Sequence, residues 1–385
     1  MSIKLGDICS FQSGGTPSKT NADYFSGSIP WITTVALNGK TIGKNEAVDW
    51  ITEKAIVESA AKIVPARSVM VGTRVGVGKV AINDIPLSTN QDVISLVGID
   101  EGRWNKEYIC RFIQSKERFL KSQARGATIK GIKVDVLSGL SLPDLSVAQQ
   151  EFVTTTLEKA SGIITARQSQ LSALDDLIKA RFVEMFGDAE RYPQESLDSN
   201  VHEMFIGPFG SALKNDSFVD PEDGFCIVYE QKHAIKKTMD VPTRYVDEKK
   251  YRELRRFSVY PGDIIVSCRG TIGEIFIVPE GAPLGIMHPS IMKIRLNTEK
   301  YNQKFFVLAL ENYMEEHNNE AKGSGVKMAV TATTLGREAF PVPPMEVQKQ
   351  FAAFVDQIDK SKSVIQKSLD ETRVLFDSLM QQYFC

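Results

Sequence analysis

Apolar residues follow two different rhythms along the chain. In 1–147, and again in 191–342, they come in short runs rich in Val and Ile, such as Ser68-Val69-Met70-Val71 and Asp263-Ile264-Ile265-Val266, bounded by Gly and Pro. Runs of that length and composition predict buried β-strands. Helical pieces are expected between them, over 107–121 and 303–316, so each region should fold as a mixed α/β unit.

After each unit the spacing changes to four and three. From Val153 it passes through Leu157, Ala160, Ile164, Arg167, Leu171, Leu174, Ile178, Arg181 and Met185. From Phe351 it passes through Val355, Ile358, Lys362, Ile365, Leu369, Thr372, Phe376, Leu379 and Tyr383. Sustained heptads with charged flanks predict a helix docked along another helix, each roughly 50 Å long at 1.5 Å per residue. One helix enters the second unit and the other leaves it, which predicts an antiparallel pair. Its seam would be Leu157, Ile164, Leu171, Leu174 and Ile178 against Val355, Ile358, Ile365, Leu369, Phe376 and Leu379. The expected class is α+β: two similar mixed α/β domains separated by two long antiparallel helices in a coiled coil, a pseudo-twofold internal repeat. The expected boundaries are 1–147, 148–190, 191–342 and 343–385, with the units at opposite ends of a rod that works as a ruler.

The duplication is also visible residue by residue, at a period of about 200 that implies whole-domain copies rather than a solenoid. Thr73-Arg74-Val75-Gly76-Val77-Gly78-Lys79-Val80-Ala81-Ile82 lies over Cys268-Arg269-Gly270-Thr271-Ile272-Gly273-Glu274-Ile275-Phe276-Ile277. Arg125–Lys130 answers Lys322–Lys327, and Leu142-Pro143-Asp144-Leu145 is matched to Val342-Pro343-Pro344-Met345.

Composition narrows the function classes. With 385 residues, 42% hydrophobic and 24% charged, the chain is neither disordered nor a disulfide framework. Its five cysteines are dispersed, with no C-x-x-C pair and no zinc spacing. The absence of a long apolar run predicts a protein that is neither exported nor embedded in a membrane, and a reducing cytoplasm fits the cysteines. A net charge of −2 gives no global signal for nucleic acid, although 1–147 leans basic, with 18 Lys and Arg against 14 Asp and Glu.

Catalytic motifs fail on their details. Gly76-Val77-Gly78-Lys79 has Thr73 where a phosphate loop needs its first Gly and Val80 where it needs Ser or Thr, so a turn between strands is expected. Asp223 followed by Glu230-Gln231-Lys232 has the spacing of a metal-dependent nuclease, but the first copy has Ile29–Val35 there, without acids. The four histidines, His202, His233, His288 and His317, are not spaced as metal ligands. No metal site or cofactor is expected in this chain.

What recurs in both units is Gly-rich loops interleaved with Arg, Lys, Ser, Thr, Asn and Gln. Small residues let backbone approach a phosphate, while Arg suits guanine and Asn or Gln suits adenine. The DNA-contact candidates in the first unit are Ser13, Gly14, Thr16, Ser18, Lys19, Arg74, Lys79, Asn90, Gln91, Arg125, Thr128 and Lys130. In the second they are Ser211, Lys214, His233, Lys236, Lys237, Arg269, His288, Ser290, Lys322 and Lys327.

The phrases SGGTPS, PWITT, STNQD, RGATIKGI and LPDLSVAQQEFV, with LDDLIKARFVEMFGD in the first long helix, resemble the specificity subunit of type I restriction-modification systems. The resemblance spans essentially the whole chain. It implies a non-catalytic reader of double-stranded DNA whose two target recognition domains each take half of a bipartite site. It also implies a helical platform for two modification subunits, which bind S-adenosylmethionine and methylate adenine N6, and restriction subunits that use ATP and Mg. A bridging scaffold that touches no DNA, and a nuclease built on Asp223, Glu230 and Lys232, are the alternatives.

Overall fold

The computed structural model describes residues 2–126, 130–188, 191–324 and 331–384, without the side chains of 317–324. It divides into two compact units, Met1–Ser169 with Gln366–Cys385, and Gln170–Ile365.

The first unit contains β1 (Ser2–Lys4), β2 (Ser10–Ser13), β3 (Phe25–Ile32), β4 (Thr41–Ile42), β5 (Asp49–Ile51), α1 (Glu53–Glu58), β6 (Ile63–Val64), β7 (Val69–Gly72), β8 (Val80–Asn83), β9 (Leu87–Thr89), β10 (Val93–Val97), α2 (Lys106–Ser115), α3 (Glu117–Gln123), α4 (Val134–Ser138) and β11 (Ser141–Pro143). The long helix α5 (Val147–Phe186) follows. The second unit contains β12 (Gln194–Ser196), β13 (Val201–Ile206), β14 (Cys226–Tyr229), α6 (Gln231–Lys236), β15 (Tyr245–Val246), α7 (Glu248–Glu253), β16 (Ser258–Val259), β17 (Ile264–Ser267), β18 (Ile275–Ile277), β19 (Gly285–Met287), β20 (Ile291–Leu296), α8 (Gln303–Ser324), α9 (Ala332–Arg337) and β21 (Ala339–Pro341). The second long helix is α10 (Met345–Phe384).

The sheets repeat their order. One runs β2-β10-β7-β8-β4 in the first unit and β13-β20-β17-β18 in the second; the other runs β5-β3-β9-β6 and then β15-β14-β19-β16. In each unit the Val/Ile run forms the strand buried on both faces. Val69 and Val71 join the cluster that holds Tyr108 and Phe112 of α2, while Met70 faces Ile32 and Leu87 of the other sheet. Ile264 and Val266 likewise face Phe305 and Phe306 of α8, and Ile265 faces Tyr229 and Met287. This two-sided burial is why these strands are continuous apolar runs rather than alternating ones.

The helices differ from expectation at their ends. The stretch 107–121 is two helices, α2 and α3, because the chain leaves helical geometry at Lys116 (φ −92°, ψ 7°). α8 runs eight residues past 316. The long helices start at Val147 and Met345, six residues before the first heptad position of each, since their first turns are held by polar contacts that leave no apolar signature. The match of Pro143 to Pro343 is also corrected. β1 pairs Ile3 with Leu142 as β12 pairs Glu195 with Phe340, which sets Pro143 opposite Pro341 in the repeat.

None of the heptad positions is exposed, whereas their neighbours Phe152, Ile163, Leu177, Val183, Val364, Val374 and Leu375 are. Leu157, Ile178 and Leu369 are buried, and Ile164, Leu171, Leu174, Val355, Ile358, Ile365, Phe376 and Leu379 are partly covered. Within the second unit, 170–186 runs antiparallel to 345–365. The Phe182 ring meets Phe351 edge-on at 5.6 Å, and two turns back Asp175 pairs with Lys362. Within the first unit, Phe376, Leu379 and Phe384 pack into the cluster that contains Val153 and Leu157. No helix among the described residues is long and apolar enough to cross a membrane.

Candidate nucleic-acid interface

β3 pairs with β9, and β14 with β19, in parallel at equivalent places in the two units, and polar candidates gather at the carboxyl ends of these strands. Carboxyl ends of parallel strands are where open α/β sheets present ligand-binding loops.

In the first unit three of the sequence phrases converge there. The loop after β2 is pinned by the Gly14 N–H to Val93 O (3.1 Å) and the Gly15 N–H to Thr89 O (2.8 Å). Trp31 Nε1 on β3 donates to Gly15 O (3.1 Å). Gly14 lies so close to β9 that a Cβ there would sit 2.2 Å from Thr89 Oγ1 and Asn90 O, so only glycine fits. The Thr16 hydroxyl donates to Gln91 Oε1. Asn90 is buried, its carboxamide closing a turn by accepting from the Asp92 N–H (3.2 Å). Arg74 projects from the turn after β7, with Asp92 at 3.7 Å. That turn is tied to the cluster by the Thr73 N–H to Asp92 O (2.8 Å), and the Ile132 N–H to Thr73 O (2.8 Å) draws in the segment of Arg125, which bridges to Gly131. Ser13, Ser18, Lys19, Lys79 and Lys130 are exposed, with Lys79 folded beside Gly76 (φ 70°) in the strand turn. Thr128 lies outside the described residues.

The second unit repeats three backbone bonds of this cluster. The Gly207 N–H donates to Ile291 O (3.0 Å) as Gly14 does to Val93, and the Cys268 N–H to Ser290 O (2.8 Å) as Thr73 does to Asp92. The His288 N–H donates to Tyr229 O (2.9 Å) as Asn90 does to Ile32. Arg269 thus stands where Arg74 stands, His288 where Asn90 does, and Ser290 where Asp92 does. Both arginines are exposed. His288 holds the turn by accepting from the Ser290 N–H at Nδ1 (3.2 Å), and burial pushes its pKa below the usual imidazole range.

His233, Lys236 and Lys237 sit elsewhere than expected, on α6 and at its end. His233 is fully buried and its Nδ1 accepts from the Glu230 N–H (3.0 Å), so it locks the start of α6 and meets no solvent. Burial lowers its pKa, which keeps the ring neutral for that role. Lys237, in the left-handed position that ends α6 (φ 49°), pairs with Glu311 on α8 (3.2 Å), while Lys236 is exposed beside it. Ser211 and Lys214 are exposed on the loop after β13 and line a groove with Asp247 and Lys250. The side chain of Lys322, and Lys327 altogether, lie outside the described residues.

The nuclease reading fails on geometry. The Glu230 carboxylate is clamped by Lys232 (2.6 Å) and Arg244, and Asp223 lies on an exposed turn, 221–223. Burial alone would raise the Glu230 pKa, but its hydrogen bonds from Lys232 and Arg244, with their charges, hold it below the usual carboxylate value. Among the described residues no group of three His, Cys, Asp or Glu could hold a metal ion.

Sequence reasoning missed Arg244 and read Glu230 only as a nuclease candidate; the two brace the second cluster through a pairing that joins the end of β14 to a loop fourteen residues on. It also missed Val35 and Val75, strongly exposed beside the first cluster, and Phe209, at 89% the most exposed large apolar side chain among the described residues.

A family model described as type I restriction modification DNA specificity domain matches residues 1–172 and 228–372. The chain is 30% identical to the specificity subunit of the type I restriction enzyme MjaIX of Methanocaldococcus jannaschii, over 98% of this chain and 90% of that one. It is 29% identical to the EcoR124I/EcoR124II specificity subunit of Escherichia coli, over 40% of this chain and 39% of that one. Among solved structures it is similar to a chain from a study of assembly and conformational transition of the type I R-M system (TM-score 0.67, 15% identity, 100% and 97% covered). It is also similar to the S subunit of the type I restriction-modification system of M. genitalium (TM-score 0.53, 15% identity, 100% and 96% covered).

Proposed function

The chain belongs to the type I restriction modification DNA specificity family, and on that premise we propose that it is the non-catalytic, cytoplasmic subunit that reads a bipartite site in double-stranded DNA. Each target recognition domain, 1–147 and 191–342, takes one half-site, and the helical regions 148–190 and 343–385 set the unread gap. Two modification subunits, carrying S-adenosylmethionine and methylating adenine N6, dock on this scaffold. Restriction subunits with ATP and Mg complete the assembly. The observation that carries the reading is the recurrence of three backbone bonds at the carboxyl ends of β3–β9 and of β14–β19, each cluster presenting an exposed arginine, Arg74 or Arg269. A guanidinium held at a rigid turn is suited to the O6 and N7 of guanine, a contact of about 1–3 kcal/mol in discrimination.

Mapping methylated adenines in cells with and without the chain tests this directly. A two-part motif that appears only with the chain is the expected result. Arg74→Ala should relax one half of that motif and Arg269→Ala the other, each at one or two base pairs. Methylation without sequence preference, or its loss in both halves from either substitution alone, would favour a bridging scaffold that does not read DNA.

A further inference from the structure

The two clusters match in backbone but differ in what their first loops present. Two residues past Gly14 stands Thr16, exposed but tied to Gln91. Two residues past Gly207, the residue that makes the same backbone bond, stands Phe209. This residue is 89% exposed. A lone exposed apolar side chain is ordinary on a protein surface. This one is on a loop built to hold it outward. Pro208 on one side and Leu213 on the other are buried. Gly207 packs so tightly that a Cβ would come 2.3 Å from His288 O, and the Ala212 N–H returns to Phe209 O (2.8 Å). The chain near the ring therefore cannot fold it back without losing those anchors. The loop is pinned to the His288–Ile291 turn, which also holds the Arg269 turn through Cys268 and Ser290, and exposed Lys214 follows on the loop itself. An exposed phenyl ring on a loop anchored to the turn that also holds the Arg269 turn, with Lys214 further along the same loop, has the chemistry of a wedge that enters a base step while cations hold the flanking phosphates.

We propose that Phe209 inserts between base pairs of the half-site taken by the second domain, unstacking one step and kinking the duplex there. The first domain, with Thr16 at that place, leaves its half-site unkinked. The inference rests on the reading that these loops face DNA. It adds that the two half-sites are read by different means, one of them partly through the deformability of a step.

The test uses the full chain with its modification subunit and no S-adenosylmethionine, on duplexes carrying the methylation-mapped site at permuted positions. Sequence-selective protection is read by footprinting and the bend and its centre by gel mobility. The expected result is a kink centred in the second domain's half-site, retained by Phe209→Trp and largely lost by Phe209→Ala. Phe209→Ala should also weaken specific binding on the order of ten-fold. Protection with a straight duplex, or with a kink that Phe209→Ala leaves unchanged, would overturn the wedge and leave DNA reading intact. Absence of selective protection by the unsubstituted chain would overturn DNA reading and the wedge with it. Because the ring is exposed, the substitutions leave the core untouched, and unchanged thermal melting verifies that.

Discussion

Gln150 and Gln348 are fully buried although each stands in a polar stretch at the start of a long helix. The two amides make the same three bonds. Gln150 Oε1 accepts from the Asn105 N–H (2.8 Å), and Nε2 donates to Arg103 O (3.1 Å) and Leu145 O (2.9 Å). Gln348 does the same with the Asn302 N–H (2.8 Å), Lys300 O (2.9 Å) and Pro343 O (2.8 Å). Asn105 and Asn302 in turn accept from the first N–H groups of α2 and α8. Each glutamine therefore fastens the origin of a long helix to the origin of its unit's own helix. Gln150→Leu would leave the Asn105 N–H and the Arg103 carbonyl without this partner, at about 1–3 kcal/mol for each unsatisfied group, while Leu145 O keeps its bond from Arg103 Nη1 (2.7 Å). The expected outcome is faster amide exchange at 105–113 and 147–153, with that of the second unit unchanged. Neither glutamine could be singled out from the sequence. A carboxamide among Ala, Glu and Lys looks like solvated helix surface, and its burial is decided by a loop more than forty residues away. Gly14 and Arg74 were legible because a glycine-rich turn and a cation recur at matching places in both copies. His233 was misplaced because an imidazole that caps a helix and one that faces a ligand look alike in sequence.

At the scale of elements, periodicity carried most of the information. The double-sided burial of β7 and β17 was written as continuous Val/Ile runs, and the seams of α5 and α10 as heptads. In the second half of α5 that pattern separates adjacent residues sharply. Ile178 is 7% exposed within the cluster of Phe182 and Phe305, while Leu177 is 45% exposed. Ile178→Ala should cost about 2–4 kcal/mol as the surrounding rings fail to close the cavity. Leu177→Ala should stay within about 0.5–1 kcal/mol, since a surface leucine has little to lose. Urea unfolding of the full chain, followed through the second unit's transition, measures both; equal losses would mean that the seam has been misidentified. The repeat register was harder to read than the helices. Two prolines, Pro341 and Pro343, compete as the partner of Pro143, and sequence similarity chose the wrong one. The short strand pairs β1–β11 and β12–β21 decide it, through backbone bonds that any residue type could make.

For the molecule as a whole, the decisive question is whether helix length is converted into DNA distance. α5 and α10 have 40 residues each, and both are divided between the two units, at Ser169 and Ile365. Only the residues near those points belong to neither unit's main core, so they are where length can change without disturbing a cluster. Leu171 and Leu174 on α5, and Ile365 on α10, are the seam positions there. Removing a whole heptad keeps a and d in place, whereas removing three or four residues rotates the seam off its partner. Deleting two heptads from the middle of α5 and the matching two from α10 shortens the path by about 21 Å at 1.5 Å per residue. At 3.4 Å per base pair, that is up to about six base pairs of unread gap. The expected result, read by methylation mapping, is a shorter gap between two unchanged half-sites. Replacing 1–147 with the corresponding region of another family member should do the converse, changing one half-site and leaving the gap intact, because each domain carries its own core. A gap that survives the paired deletion would show that spacing is set by the DNA or by the modification subunits, and the helices would then be a scaffold without a measuring role.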